Sequence, residues 1–516
     1  MPAVAARLAG AALPTVHPTV VHMLADSAAR AGDRIALIDG GRRLAYRDYL
    51  ACVAGFAREL IDMGAAGERV ALILGNSMDM AIAMFAVHAA GAQAVPVNPI
   101  YTARELRHIL EDAAPVVVLH DSSVGPLLAG FDLQNRMEIG GDNGKHLDRW
   151  AGKAIDLPPL PNPDDPASLQ YTGGTTGLPK GVIATHWQMA TNISQREALL
   201  PTRTDGERIL CVMPLFHVFA VSMCLHLAAY CRGTLAILPR YHPETVLKAL
   251  RGEGITVLPG GPTVFNGLMA HPDFASSQFP NLRICYSGSA PLPEETLRQW
   301  EAATGCAILE GYGQTEAGPV LTYNPEHGAR KAGSVGVALP ETEVQIVDVE
   351  TGTRVLGAGE QGEIRARGPQ VMTGYRNRPD ATAAALRDGW LYTGDIGEFD
   401  RDGYLSIRDR KKDMAIVGGY NVYPREIDEV LHAHPDVLEA AAVGVPDDYR
   451  GEVIKAGVVL KAGARADAES VLAHCRDNLA KYKIPTAIEF VADLPKTPVG
   501  KIDKKAVKEL LSGGGA

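Results

Sequence analysis

From residue 68 to about 120 the chain alternates short apolar runs with longer segments whose apolar positions recur at helical spacing. The run "RVALIL" (69–74) predicts a strand, and "SMDMAIAMFAVHAAG" predicts a helix ended by Gly91. A strand in "AQAVPVN" follows. Thr102 and Glu105 then form a capping box that opens "TARELRHILED", and "VVVLH" is the next strand. The rhythm returns over 208–309, through "RILCVM", an apolar helix, "TLAILP", "PETVLKALRGEG", "ITVLP", "RICYSG" and "PEETLRQWEAATG". Strands alternating with helices of this length predict parallel sheets with covering helices. Beyond 330 the pattern shortens, and "TEVQIVDVETGTRVLGAGEQGEIRARG" predicts a small antiparallel sheet or barrel. From about 411 a compact α+β segment begins, with "AAVGVPDD", "VIKAGVVLKAG" and a helix near 467–480. The expected fold class is α/β. A large domain (1–410) of parallel sheets with covering helices carries a small β-barrel-like part, and a small α+β domain (411–516) follows.

The length of 516 residues agrees with more than one structural unit. A composition 46% hydrophobic and 21% charged is that of a globular chain, and no window is long and apolar enough to predict a membrane span. The net charge of -10, with only the short basic clusters "RDRKK" and "KIDKK", speaks against a nucleic-acid partner. Seven cysteines without a C-x-x-C pair suit reduced thiols better than disulfides or a zinc site. The N-terminus makes no convincing signal peptide, so a cytoplasmic location is expected.

Four short clusters carry candidate chemistry. In "YTGGTTGLPKG" (171–181) glycines let backbone N–H groups face an anion, threonines add hydroxyl donors and Lys180 adds charge. A Walker loop is excluded, because Pro179 precedes Lys180 and Gly181 follows it. A flexible strand-to-helix loop is the plain alternative. In "EGYGQTEAGP" (310–319) an aromatic face sits beside glycines, and Thr315 and Glu316 set a hydroxyl next to a carboxylate suited to Mg²⁺. In "LYTGDIG" (391–397) Asp395 can accept both hydrogen bonds of a ribose diol, with Arg410 of "RDRKKD" as a further donor. In "PKTPVGKIDK" (495–504) Lys501 sits in a loop framed by Pro and Gly. Taken singly each is weak: the first favours an anion loop over a plain one, the second reads better as a turn with surface polar residues, and Lys501 alone reads as a surface lysine.

Their order is distinctive. With "SGSAPLPEETLRQWEAATG", "GSVG", "VMTGY" and "DRKKDMAIVGGYNVYPREIDEVL", the chain from about 20 to 510 resembles the adenylate-forming (acyl-activating, AMP-forming) superfamily. Within it, the wording is nearest to medium- and long-chain fatty-acid–CoA ligases. The resemblance implies that a carboxylic acid attacks ATP to give acyl-AMP and pyrophosphate, and that CoA then takes the acyl group. The substrates are therefore the acid, ATP and CoA, with Mg²⁺. It further implies that Thr172, Thr175, Thr176 and Lys180 hold the departing phosphates. Ser289, Ala290, Tyr312 and Gly313 frame adenine, Thr315 meets the α-phosphate, Glu316 binds Mg²⁺, and Asp395 with Arg410 holds ribose. Lys501 is the adenylation lysine and Lys412 the hinge of a mobile small domain. Gly419 and Tyr420 serve the CoA step. His217 stands at the mouth of an acyl pocket to which Gly260 and Gly261 give room. Lys501 is a candidate target for a lysine acetyltransferase, and a homodimer is a candidate assembly.

Three positions depart from the family's habit: Glu341 follows Pro where Gly is common, Gln314 replaces Leu or Met, and Ile416 replaces a lysine of luciferases. The first predicts an altered turn, and the last argues against luciferase-like oxidation. The segments 217–231 and 255–269 contain no Asp, Glu, Lys or Arg, which disfavours a second substrate carboxylate and fits a medium or long aliphatic chain. An aromatic-acid–CoA ligase, an enzyme loading a separate carrier protein and a silent adenylate-binding protein are the alternatives.

Overall fold

The protein is described by a computed structural model covering residues 12–141, 144–172, 179–417, 420–447, 450–497 and 500–512. Two large sheets form its bulk. In the nine-stranded sheet, Ala307–Gly313, Ile284–Ser287, Val257–Gly260, Arg208–Cys211, Thr234–Ile237 and Ile35–Asp39 run parallel in that order. In the seven-stranded sheet, Pro166–Thr172, Gln93–Pro96, Arg69–Ile73, Val117–His120 and Asn135–Glu138 are parallel neighbours. The helix Met78–Ala89 touches strands of both sheets, and every one of its residues is buried. Its sequence explains most of this: ten of its twelve residues are apolar and leave no polar face for water, and the buried Asp79 accepts from Arg42 and the Leu147 N–H.

Helix starts follow the capping chemistry read in the sequence. Thr102 caps Ala103–Ala113 in a capping box with Glu105, and Thr185 does the same for His186–Leu199 with Gln188. The expected apolar helix near 220 is broken, however. A turn of α-helix at Val218–Ala220 passes into a π-helical turn, Val221–His226, and returns to α-helix at Leu227–Tyr230. Periodicity cannot report such a change in a segment buried on all sides. The 171–181 stretch is not a strand-to-helix loop either, since Pro166–Thr172 and Lys180–Thr185 pair antiparallel around it. After Pro340 the backbone keeps the conformation a glycine would take rather than an altered one: Glu341 adopts φ 60°, a left-handed conformation that glycine takes without strain.

The antiparallel part is a sheet of Glu343–Val347, Gly362–Arg367, Trp390–Phe399, Leu386–Arg387 and Leu405–Arg410. A turn at 411–413 then leads to a separate sheet, made of Ala415–Val417, Tyr420–Val422, Gly451–Leu460, Val437–Asp447 and Ala487–Phe490. The apolar cores respect this break. The largest core draws on residues from Val20 to Tyr404, whereas two smaller ones lie wholly between Ala415 and Leu511. All seven cysteines are buried free thiols. No helix among the described residues is long and apolar enough to cross a membrane.

Candidate active site

The hairpin of Trp390–Phe399 and Leu405–Arg410 sets Asp395 directly opposite Arg410. Their side chains lie 3.6 Å apart, and the Tyr312 hydroxyl donates to Asp395 Oδ2 at 2.6 Å. Burial raises the Asp395 carboxyl above its ordinary pKa, against the opposing pull of Arg410 and the Tyr312 hydrogen bond. Lys501 enters this cluster from the small domain. Its ammonium is pushed down to about 8, first by burial and then by Arg410, with Asp395 working the other way. Lys501 acts in turn on His217, whose imidazole is held neutral at about 3, mainly by burial.

The loop that carries Lys501 is tied down locally and docked on the large domain. The Lys501 N–H donates to Thr497 Oγ1 at 3.2 Å, and the Thr497 N–H donates to the Lys501 carbonyl at 2.7 Å. A Cβ added at Gly500 would lie 3.5 Å from Thr263 Oγ1, at the start of the helix Pro262–Met269. Elsewhere along the contact, the Arg425 N–H donates to Asp409 and the Glu294 N–H to Glu429.

Residues 312–319 fold back tightly on themselves. A Cβ on Gly313 would lie 1.9 Å from the Pro319 carbonyl oxygen, and the Gln314 N–H donates to that same oxygen. Only glycine fits there. The fold presents Thr315 and Glu316 on a short 3₁₀ turn, Thr315–Ala317. Glu316 Oε1 accepts from the Tyr375 hydroxyl at 2.8 Å, and the Lys180 ammonium lies 4.9 Å from the centre of the Tyr375 ring. Tyr375 thus links the hairpin to Glu316. It ends the "VMTGY" stretch, but nothing in its local sequence signals that role.

No three His, Cys, Asp or Glu residues among the described ones form a metal cage. A divalent cation at Glu316 would take one protein carboxylate and complete its shell with phosphate oxygens and water, which is the habit of Mg²⁺. The residues fit that ion.

Other expected residues stand as follows. Thr172 ends its strand opposite Lys180. Ser289 has φ 69°, and with Ala290 follows the strand Ile284–Ser287. Lys412 is exposed in the turn between the two sheets. Tyr420 is 59% exposed and stacks on Tyr482 at 4.6 Å, on the small domain. Thr175, Thr176 and Gly419 lie outside the described residues.

A small, mainly apolar cavity, with free space of about 30 Å³, adjoins the site. Thr315 and Gly318 line it, as do Val182 and Ala184 of the phosphate-loop hairpin, and Ser222 and His226 of the π-helical turn. Among the described residues, no Asp, Glu, Lys or Arg contributes to its wall. The three residues expected at an acyl pocket, His217, Gly260 and Gly261, are not part of that lining, although Val218 beside His217 is; Gly260 packs on Val264, and Gly261 faces the Gly288 carbonyl.

Residues 24–376 match the model of the AMP-binding enzyme family, and 426–501 match that of the AMP-binding enzyme C-terminal domain. The chain is 38% identical to the long-chain-fatty-acid–CoA ligase of Bacillus subtilis, over 96% of its own length and 95% of the relative's. It is also 38% identical to a feruloyl-CoA synthase of Amycolatopsis, over 92% and 95% of the two chains. Among solved structures, ATP-bound MatB from Rhodopseudomonas palustris superposes with a TM-score of 0.88 at 32% identity, covering 96% of this chain and 99% of that one. The anthranilate–CoA ligase AuaEII with anthranoyl-AMP gives 0.90 at 27% identity, covering 96% and 98%. Both the large and the small part of the chain are thus accounted for, and the chain belongs to the AMP-binding enzyme family, as an AMP-forming acid–thiol ligase that uses ATP and CoA.

Proposed function

We propose that this enzyme activates a medium- or long-chain fatty acid to its CoA thioester, with the acyl chain in the cavity beside Thr315. The observation that carries this reading is a wall without a charged side chain. A second carboxylate there would be buried without a cation, at a cost of several kcal/mol, on the order of a buried unpaired charge. The similarity to the Bacillus subtilis long-chain-fatty-acid–CoA ligase supports the same choice. The feruloyl-CoA synthase and the anthranilate–CoA ligase favour an aromatic acid as the second reading.

In the first step the substrate carboxylate attacks the ATP α-phosphorus, and negative charge gathers on the oxygens around it. Lys501 supplies the positive charge that meets it. Asp395 and Arg410 hold the ribose, so the α-phosphate is presented to Thr315 and the ammonium. Thr172, Thr175, Thr176 and Lys180 retain the pyrophosphate as it departs, and Glu316 would hold Mg²⁺, which would screen the phosphate charge. Catalysis of this kind is positioning and preorganised electrostatics. His217, kept neutral, brings no charge to the acyl mouth. In the second step the CoA thiol attacks the acyl carbon and AMP leaves. Rotation of the 411–516 domain about Lys412 withdraws Lys501 and brings Gly419 and Tyr420 to the site, a hinge motion of a familiar kind.

The test is pyrophosphate release across straight-chain acids of graded length and a set of aryl acids, with and without CoA. CoA-dependent turnover peaking on medium or long chains is expected. A peak on aryl acids with no turnover of fatty acids would replace the first reading by the second.

A further inference from the structure

The wall of the cavity is not all hydrocarbon. Ser222 and His226 stand four positions apart on the π-helical turn, 4% and 1% exposed. Both line the cavity. Ser222 Oγ and His226 Nε2 have no hydrogen-bond partner among the described residues. Behind them the polarity continues. The His88 ring lies 5.3 Å from His186 and 6.4 Å from His226, and both nitrogens of His88 and Nδ1 of His186 are likewise unpartnered.

Buried polar atoms nearly always find a partner, and leaving one unpaired is costly. An apolar acyl tunnel has no use for a hydroxyl and an imidazole on one turn. Valine, leucine or phenylalanine would fill the same space without an unpaired atom. A π-helical turn inside an otherwise α-helical segment is, in addition, a local distortion found often at functional sites. The wall that holds these two groups backs onto Phe85 and His88, both fully buried.

We infer that Ser222 and His226 hydrogen-bond an oxygen of the acyl substrate remote from its carboxylate, so that the enzyme selects acids bearing a hydroxyl or carbonyl. This rests on the reading that the cavity holds the acyl group. A hydroxyl can donate to one of the pair and accept from the other, whereas a bare methylene leaves both unsatisfied. His226 is held neutral, at about 3, by burial and by His186. It therefore suits a neutral oxygen and offers no charge to a carboxylate. Two kinds of acid present this chemistry: a hydroxylated or oxo aliphatic chain, and a phenolic aryl acid.

Matched pairs that differ in one oxygen test the inference. CoA-dependent pyrophosphate release is measured for decanoate against hydroxydecanoates with the hydroxyl at each position from carbon 4 to carbon 10. Cinnamate is compared in the same way with 4-hydroxycinnamate. Wild-type enzyme is expected to favour the oxygenated member of at least one pair in kcat/KM by about 10–100-fold, the range of one unpaired buried polar group. Ser222→Ala and His226→Phe should each bring that ratio toward one. The ratio is taken within one preparation, so a loss of folded protein in a variant cancels. If decanoate is turned over with no oxygen preference at any position, nor in the aryl pair, the inference fails while the fatty-acid reading stands. If only the aryl pair is turned over and the phenol is preferred, the fatty-acid reading fails and the inference stands. An oxygen preference that survives both substitutions also overturns it.

Discussion

If Lys501 is the adenylation lysine proposed above, its removal should separate the two half-reactions. Its ammonium pKa falls from 10.5 to about 8 in this arrangement, chiefly through burial, with Arg410 adding to the shift. The difference of about 2.5 units corresponds to about 3 kcal/mol at about 1.4 kcal/mol per unit, and to somewhat less once partial solvent screening is allowed. Because the folded-state pKa is lowered, this cost is fully present below about pH 8 and vanishes as pH rises past the ordinary lysine value. Without nucleotide, the docked arrangement is thus held back at neutral pH by its own charge. The anionic phosphates of ATP remove that penalty, which couples docking to substrate. It follows that kcat/KM for adenylation should fall above about pH 8, as free enzyme loses the proton. The fall in kcat should come at higher pH, where bound ATP has raised the pKa. Lys501→Ala should slow pyrophosphate release about 10²–10³-fold, the usual loss of one preorganised donor, and should abolish the alkaline inflection. Lys501→Arg should move the inflection out of range. Supplied acyl-AMP should still form thioester in all three proteins. Stopped-flow pyrophosphate release and a separate thioester assay decide the matter. The reasoning is refuted if the inflection survives in Lys501→Ala, or if the thioester step falls as far as adenylation.

Lys412→Pro should leave adenylation within about threefold of wild type and largely abolish thioester formation, because proline fixes φ and restrains the residue before it. The Lys412 N–H donates no hydrogen bond among the described residues, so the observed arrangement loses none; equal loss of both steps would make Lys412 structural. Gly261→Leu should leave the longest acid accepted and KM for ATP unchanged, since Gly261 does not line the cavity beside Thr315 and a Cβ there meets only the Gly288 oxygen, at 3.8 Å. A shortened chain-length profile would return Gly261 to the acyl path. Glu341→Gly should raise stability by up to about 1 kcal/mol, the left-handed cost of a side chain less glycine's entropy, and a lowered Tm would show that the Glu341 side chain compensates for its strain.

The parallel sheets were legible because each strand is a short apolar run and each covering helix keeps a helical period. Pairs such as Thr102 and Glu105 marked helix starts through chemistry confined to four residues. Asp395 and Arg410 were read together as candidate sugar ligands from their residue types, and the resemblance then gave the pair its role. Their meeting depends on a hairpin register that local sequence does not encode. The π-helical turn was hidden for a different reason. Its residues are all buried, so no polar face marks the period. Tyr375 and the Ser222–His226 pair were invisible because their importance lies in which atoms find a partner, and that is decided across distant segments. Glu341 stood between these cases: the missing glycine foretold an odd turn, and the backbone took glycine's conformation regardless.

The helix Met78–Ala89 has a consequence for how the molecule comes apart. Because it is largely apolar, buried on every side and in touch with both large sheets, neither sheet can be stripped away without exposing it. The two sheets should therefore melt together, in one calorimetric transition unusually broad in sequence, spanning Val20 to Tyr404. The part beyond Ala415 shares no apolar core with it and is free to melt on its own. On the ribosome, this helix emerges long before the strands of the nine-stranded sheet between Arg208 and Gly313. Until they arrive it is a sticky surface, which makes the nascent enzyme a natural client of chaperones that shield hydrocarbon.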